Sequence, residues 1–134
     1  MKMVFRWWPN GDDTVTLSQI RQIPGVSGVA TMFADIPAGE VWPKETILAL
    51  RDEVHEAGLQ MEVIESVNIH EDIKKGLPTR DAYIANYITT MKNLSEAGVK
   101  CICYNFMPVM DWFRSNLENI QNVACWQQNW KRTR

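Results

Sequence analysis

Cysteine is scarce in this chain: Cys101, Cys103 and Cys125 are the only three in 134 residues, an odd number with no Cys-x-x-Cys spacing. That excludes a disulfide-rich miniprotein and leads us to expect a reducing, cytoplasmic setting. Long apolar runs are missing as well. No window approaches the roughly eighteen uninterrupted apolar residues of a membrane-spanning helix, and the charged Lys2 and Arg6 are not followed by the apolar stretch of a secretory signal. Neither sign of charge dominates, since fourteen Lys plus Arg stand against sixteen Asp plus Glu for a formal net charge of −2. Without a basic surface to neutralise a run of phosphates, neither nucleic acid nor a membrane is an expected partner.

What is present is a globular balance, 46% hydrophobic and 22% charged, with the apolar residues spread along the chain. Their periodicity alternates between two kinds. Met3 to Trp7 reads as a strand ended by the turn formers Pro9-Asn10-Gly11-Asp12. Leu17, Ile20 and Ile23 lie at helical spacing before Pro24-Gly25, and Val26 to Phe33 is the uninterrupted apolar run of a strand covered on both faces. Ile47, Leu50, Val54 and Ala57 form the face of a helix that begins at Pro43 and ends at Gly58, and Leu59 to Ile64 follows as a strand. After a loop containing His70-Glu71-Asp72, Thr79 is placed to cap a helix whose buried face is predicted as Ile84, Tyr87, Met91 and Leu94. Gly98 ends that helix, and Val99 to Phe106 is the fourth strand.

Val54-His55-Glu56-Ala57-Gly58-Leu59 and Leu94-Ser95-Glu96-Ala97-Gly98-Val99 repeat one pattern at an offset of 40 residues, the length of one helix-plus-strand unit with its loop. Strands joined through helices run parallel, with right-handed crossovers. The expected fold class is therefore α/β, with about four parallel β/α units: part of a TIM-type (β/α)8 barrel, or a small doubly wound sheet. Residues 116–134 carry Asn or Gln at seven positions and show neither helical nor strand periodicity.

Ligands of parallel α/β proteins sit at the carboxyl ends of the strands. The candidate positions are Arg6, Trp7 and Trp8 after the first strand, Thr31 after the second, Glu65, Ser66 and His70 after the third, and Tyr104, Asn105 and Asp111 after the fourth. Arg6 suits bidentate binding of a carboxylate, Glu65 suits a sugar hydroxyl, a metal or a base partner, and His70 suits a polyol. The adjacent His70-Glu71-Asp72 cannot all face one ion from a regular element, so Glu71 and Asp72 read as loop or N-cap residues. Cys101 and Cys103 share a strand face and are expected in the core. His55, between Glu53 and Glu56, is expected on a solvated face.

The motifs at these positions resemble one family. Phe5-Arg6-Trp7, Arg21-Gln22-Ile23-Pro24-Gly25, Ile36-Pro37-Ala38-Gly39-Glu40-Val41-Trp42, the run from Val63 through Glu65-Ser66-Val67-Asn68-Ile69-His70-Glu71-Asp72 to Lys74, and Cys103-Tyr104-Asn105-Phe106-Met107-Pro108-Val109-Met110-Asp111-Trp112 together resemble mannonate dehydratase from Met1 to about Leu117. The resemblance implies a lyase on a TIM-type barrel related to xylose isomerase. Such enzymes dehydrate D-mannonate to 2-dehydro-3-deoxy-D-gluconate in hexuronate degradation and depend on Mn2+ or Fe2+. It assigns substrate binding to Arg6, Trp7, Glu65, His70, Tyr104 and Asn105. It also implies that the metal ligands and the acid and base residues come from later strands, so that no ligand is expected in this chain. Family members usually carry Tyr where this chain has Trp8. The expectation is an N-terminal half-barrel over 1–117 with a divergent tail over 118–134, inactive alone and inclined to self-associate through its open edges. The alternatives are a metal-dependent sugar isomerase or epimerase on the same type of barrel, and a non-catalytic half-barrel that self-associates.

Overall fold

Four short strands of one sense form the centre of the molecule, in the order β1 (Met3–Arg6), β2 (Val26–Thr31), β3 (Gln60–Glu65) and β4 (Cys101–Cys103), each pair parallel. This computed structural model describes residues 2–10 and 13–109, together with the backbone of β5 (Phe113–Ile120) and β6 (Trp126–Lys131). Asp111, Trp112 and Cys125 lie outside the described residues. Consecutive strands are spatial neighbours, the commonest arrangement of strands joined through crossover helices. Among the described residues, no helix is long and apolar enough to cross a membrane.

Each crossover is built from local chemistry. Helix α1 (Leu17–Arg21) begins with a reciprocal capping box: the Gln19 N–H donates to Thr16 Oγ1 at 3.3 Å, and the Thr16 N–H donates to Gln19 Oε1 at 2.8 Å. Helix α2 (Lys44–Glu56) starts at Pro43 and buries Ile47, Leu50 and Val54. It ends when Gly58 turns to φ +76° and the Leu59 N–H reaches back to the Val54 carbonyl at 3.1 Å. Helix α4 (Arg80–Glu96) ends in the same way, with Gly98 at φ +91° and the Val99 N–H on the Leu94 carbonyl at 3.1 Å. The 40-residue repeat is thus one helix termination used twice, each delivering a buried apolar residue, Leu59 or Val99, to the next strand.

The inner face of α4 differs from the predicted stripe. Leu94 is fully buried, but Ile84 and Met91 are exposed and Tyr87 is half-buried. The inward row is instead Asn86, Thr90 and Asn93, which hold the loop before α2. The Asn86 amide donates to the Gly39 carbonyl at 2.9 Å, the Trp42 N–H to Thr90 Oγ1 at 3.1 Å, and the Asn93 amide to the Trp42 carbonyl at 2.8 Å. A loop packed under a helix needs partners for its backbone, and that requirement rotates the helix away from its most apolar side.

The core lies between the sheet and the helices, where Ile20, Val29, Ile47, Val54, Ile64 and Leu94 are all fully buried. The fourth strand is shorter than the apolar run from Val99 to Phe106, and as an edge strand it leaves Cys101 and Cys103 exposed, not in the core. His55 is exposed, as expected. Beyond β4, β5 and β6 pair with each other in an antiparallel sheet, in a segment with no readable strand periodicity.

Candidate functional site

The carboxyl end of β3 leads into the site. The Glu65–Ser66 peptide bond is cis, Ser66 Oγ donates to Asn68 Oδ1 at 3.0 Å, and the chain reaches His70 two residues later. His70-Glu71-Asp72 then begins a short helix, α3 (Glu71–Lys75), and here the loop reading is corrected. The N-cap is His70, not Asp72: its Nδ1 accepts the Asp72 N–H at 3.1 Å. Asp72 instead accepts the Thr79 hydroxyl, so Thr79 occupies the cap position of α4 without capping it through its side chain. The accepting Nδ1 leaves the proton of the neutral imidazole on Nε2.

The His70 ring is held by stacking on Tyr83, with centroids 3.6 Å apart and planes 17° from parallel. Gly39 stands against this stack at φ +90°. A Cβ there would fall 2.5 Å from the Tyr83 ring and 3.0 Å from His70, so both the conformation and the close approach call for glycine.

Beside His70 is a cavity of about 400 Å³ lined by Ala38, Asn68, Ile69, His70, Glu71, Lys74 and Asn105. Glu71 organises one wall. Its carboxylate accepts from Lys74 Nζ at 3.0 Å, from Lys75 Nζ at 3.3 Å and from the Val109 N–H at 3.0 Å, which ties the segment after β4 to the start of α3. The Val109 N–H first, and Lys74 next, hold the Glu71 carboxyl at about 2, below an ordinary 4.5. A lowered folded value contributes stability above the unfolded value, and that contribution is lost as pH falls through the folded one. The tie is therefore expected to be complete above about pH 4.5 and to release with a midpoint near pH 2. The Val109 amide resonance followed through an acid titration reads this directly, and a midpoint near 4.5 would show that the carboxylate is not so held.

Of the six residues assigned to substrate, His70 and Asn105 meet in this cavity. Tyr104 lines an adjoining apolar cavity of about 370 Å³ with Ile69, Tyr87, Met91, Ile102 and Phe106. Arg6, exposed at the end of β1, lies with its guanidinium 5.0 Å from the centre of the Trp8 ring. Trp7 is packed in the core, only 7% exposed, and Glu65 is exposed at the end of β3 opposite Cys103. These three do not line the polar cavity. Thr31 is fully buried with its hydroxyl unpartnered. Lys74 and Asn68 were not singled out in the sequence, although Lys74 follows His70 by one helical turn and Asn68 precedes it by two extended residues, spacings that put all three on one side.

Among the described residues, no group of three or more His, Cys, Asp or Glu side chains is placed to hold a metal ion. His70 Nδ1 and Asp72 Oδ1, 3.7 Å apart, lack a third donor, and Nδ1 is already an acceptor. The Cys103 thiol is pushed up by partial burial, then by its neighbours Cys101 and Glu65, which disfavours the thiolate that a metal binds. The described residues do not fit Mn2+ or Fe2+.

Parallel strand–helix units with a polar cavity at the carboxyl ends of the strands define a class, the α/β proteins that hold a small ligand at that end. The comparisons narrow it. Residues 1–130 match the family model described as D-mannonate dehydratase (UxuA), and the chain belongs to that family of dehydratases, which are lyases. Mannonate dehydratase of Thermotoga petrophila is 65% identical over 117 residues, 87% of this chain and 32% of the relative. That of Lactococcus lactis subsp. cremoris is 61% identical over 118 residues, 88% of this chain and 33% of the relative. The crystal structure of mannonate dehydratase from Streptococcus suis serotype2 superimposes with a TM-score of 0.89 at 49% identity, covering 96% of this chain and 36% of that one. The chain spans about a third of the length of these curated relatives.

Proposed function

We propose that this chain forms the substrate-holding part of an enzyme that dehydrates D-mannonate to 2-dehydro-3-deoxy-D-gluconate in hexuronate breakdown, on what we read as half of a TIM-type barrel. The observation that carries this reading is the cavity that joins Asn68, His70, Lys74 and Asn105 in a member of the D-mannonate dehydratase family. A sugar acid presents one carboxylate and a row of hydroxyls. The Lys74 ammonium and the His70 Nε2–H supply donors for the carboxylate, and the two Asn side chains supply paired donors and acceptors for hydroxyls.

Removing the proton beside the carboxylate builds negative charge on it, so donors fixed before the reaction act most strongly as that charge grows. Of the residues assigned from sequence, the reading keeps His70 and Asn105, with Tyr104 on the adjoining wall, and adds Asn68 and Lys74. Mn2+ or Fe2+ enters only with ligands from outside the described residues. The partners are the small-molecule acid and a second copy of the chain. The exposed free thiols of Cys101 and Cys103 suit a reducing cytoplasm.

Calorimetric titration of the chain with D-mannonate is expected to show binding that His70→Ala or Lys74→Met weakens by about tenfold or more, the scale of a charge-assisted hydrogen bond. Incubation with D-mannonate and Mn2+ is expected to give no keto-deoxy acid above background. Absence of binding, or binding indifferent to both substitutions, would overturn the site.

A further inference from the structure

The imidazole of His70 has two partners within reach of one nitrogen, and both belong to Asp72. The Asp72 N–H donates to Nδ1 at 3.1 Å, while Asp72 Oδ1 stands 3.7 Å from the same atom. Asp72 Oδ2 accepts the Thr79 hydroxyl at the start of α4, so Oδ1 is the oxygen left beside His70. The N–H partner suits a neutral ring, because a protonated Nδ1 can only donate, and the carboxylate suits the imidazolium. The other charged or titratable groups around the ring come from three segments of the described residues. On α3, Glu71 is paired with Lys74 and Lys75. On α4, Tyr83 carries the stacked ring and Tyr87 lies nearby; in the loop before α2, Glu40 lines an enclosed pocket together with His70 and both tyrosines. All of these contacts lie within residues 39–87, on the wall of the polar cavity.

We propose that His70 takes up a proton when an anion occupies the cavity, and that Asp72 is the positioning residue for this step, exchanging its backbone N–H for its carboxylate at Nδ1. The proton comes from solvent and bonds to Nδ1. The Asp72 N–H is released, and Nδ1–H donates to Asp72 Oδ1 once the two close by about 1 Å to a charge-assisted distance. Nε2 keeps its hydrogen throughout, so the ring remains a donor and gains a charge. Opposed effects set the balance. A positive charge at a helix start and the loss of the N–H bond disfavour the imidazolium. The Asp72 carboxylate and the face of the Tyr83 ring, 3.6 Å away between centroids, favour it. A ligand carboxylate in the cavity adds to the favourable side, and an uncharged sugar does not. His70 thereby distinguishes a sugar acid from a neutral sugar by charge. The proposal deepens the reading of this cavity as a sugar-acid site and rests on that reading for its ligand.

The chain holds only two histidines, so a His55→Gln background leaves a single imidazole to follow. In the full chain, the nitrogen resonances of that ring and the Asp72 amide are recorded from about pH 8 to about pH 5, where imidazoles change charge. Without ligand, protonation of Nδ1 is expected to move the Asp72 amide in step, the mark of the lost bond. An amide that stays fixed while the ring protonates would overturn the exchange of partners. D-mannonate is expected to raise the protonated fraction at a given pH, and calorimetry in two buffers of different ionisation heat is expected to read a net uptake of protons. Affinity for D-mannonate is then higher at about pH 6 than at about pH 8, by about threefold or more. Asp72→Asn keeps the backbone N–H and removes the charge, and it is expected to abolish most of both the uptake and the pH dependence while binding persists. D-mannonate bound without proton uptake, or with uptake unchanged in Asp72→Asn, overturns the proposal and leaves the site standing. No binding at any pH overturns the site and the ligand-linked uptake together, while the Asp72 amide of the free chain still decides the exchange.

Discussion

Ile64→Ala is expected to destabilise the chain by about 2–5 kcal/mol, the range for truncating a large aliphatic side chain in a packed core. Ile64 lies on β3, an interior strand, between Thr31 of β2 and Ile102 of β4, and it is fully buried in the cluster that also holds Val29, Ile47, Val54 and Leu94. Neighbours on both sides are themselves held in strands, so the space left by the missing atoms collapses little. Ile84→Ala, on α4, is the matched control. Ile84 is 38% exposed, and its truncation is expected to fall within about 0.5 kcal/mol. Denaturant unfolding of the two variants measures the contrast, and equal losses would mean that the helix buries the stripe read from its periodicity, not the row of Asn86, Thr90 and Asn93.

Gly39→Ala is expected to have the second large effect, this one directed at the site. At φ +90° an L residue is strained, by about 1–2 kcal/mol on the scale of left-handed backbone. The added Cβ would lie 2.5 Å from Tyr83 Cδ1 and 3.0 Å from His70 Cδ2, inside any normal contact. One of the two rings must move, and the stack that orients His70 toward the cavity goes with it. The expected result is a loss of about 2 kcal/mol or more in unfolding free energy, strain and displaced packing together, with weaker D-mannonate binding. Wild-type stability together with an unchanged Tyr83–His70 contact, seen as a nuclear Overhauser effect between the rings, would refute the loop geometry.

The order of elements was legible in the sequence because it rests on local signals. Gly58 and Gly98 end helices by the same backbone turn, Pro24-Gly25 forms the turn from α1 into β2, and apolar runs separated by helical units point to a parallel sheet with right-handed crossovers. The family motifs lie at the strand ends for the same reason, and position alone put His70 and Asn105 after the third and fourth strands. Burial was legible only where one neighbour decides it. Periodicity identifies a helix's apolar stripe but not which side meets the protein, and on α4 the hydrogen-bonding needs of residues 39–42 outweighed the apolarity of Ile84 and Met91. Cys101 and Cys103 share a face by strand geometry, yet it took the pairing order, with β4 at an edge, to expose them.

The site divides along the same line. Sequence determined that polar residues follow each strand. Only the tertiary structure decided that Lys74 and Asn68 stand with His70 and Asn105 around one cavity, that Trp7 is core, and that Arg6 and Glu65 are exposed away from that cavity. Spacing along the chain constrains neighbours within a turn or a strand, whereas His70 and Asn105 are 35 positions apart in the sequence and meet because β3 and β4 pair in one register and Glu71 holds the Val109 N–H.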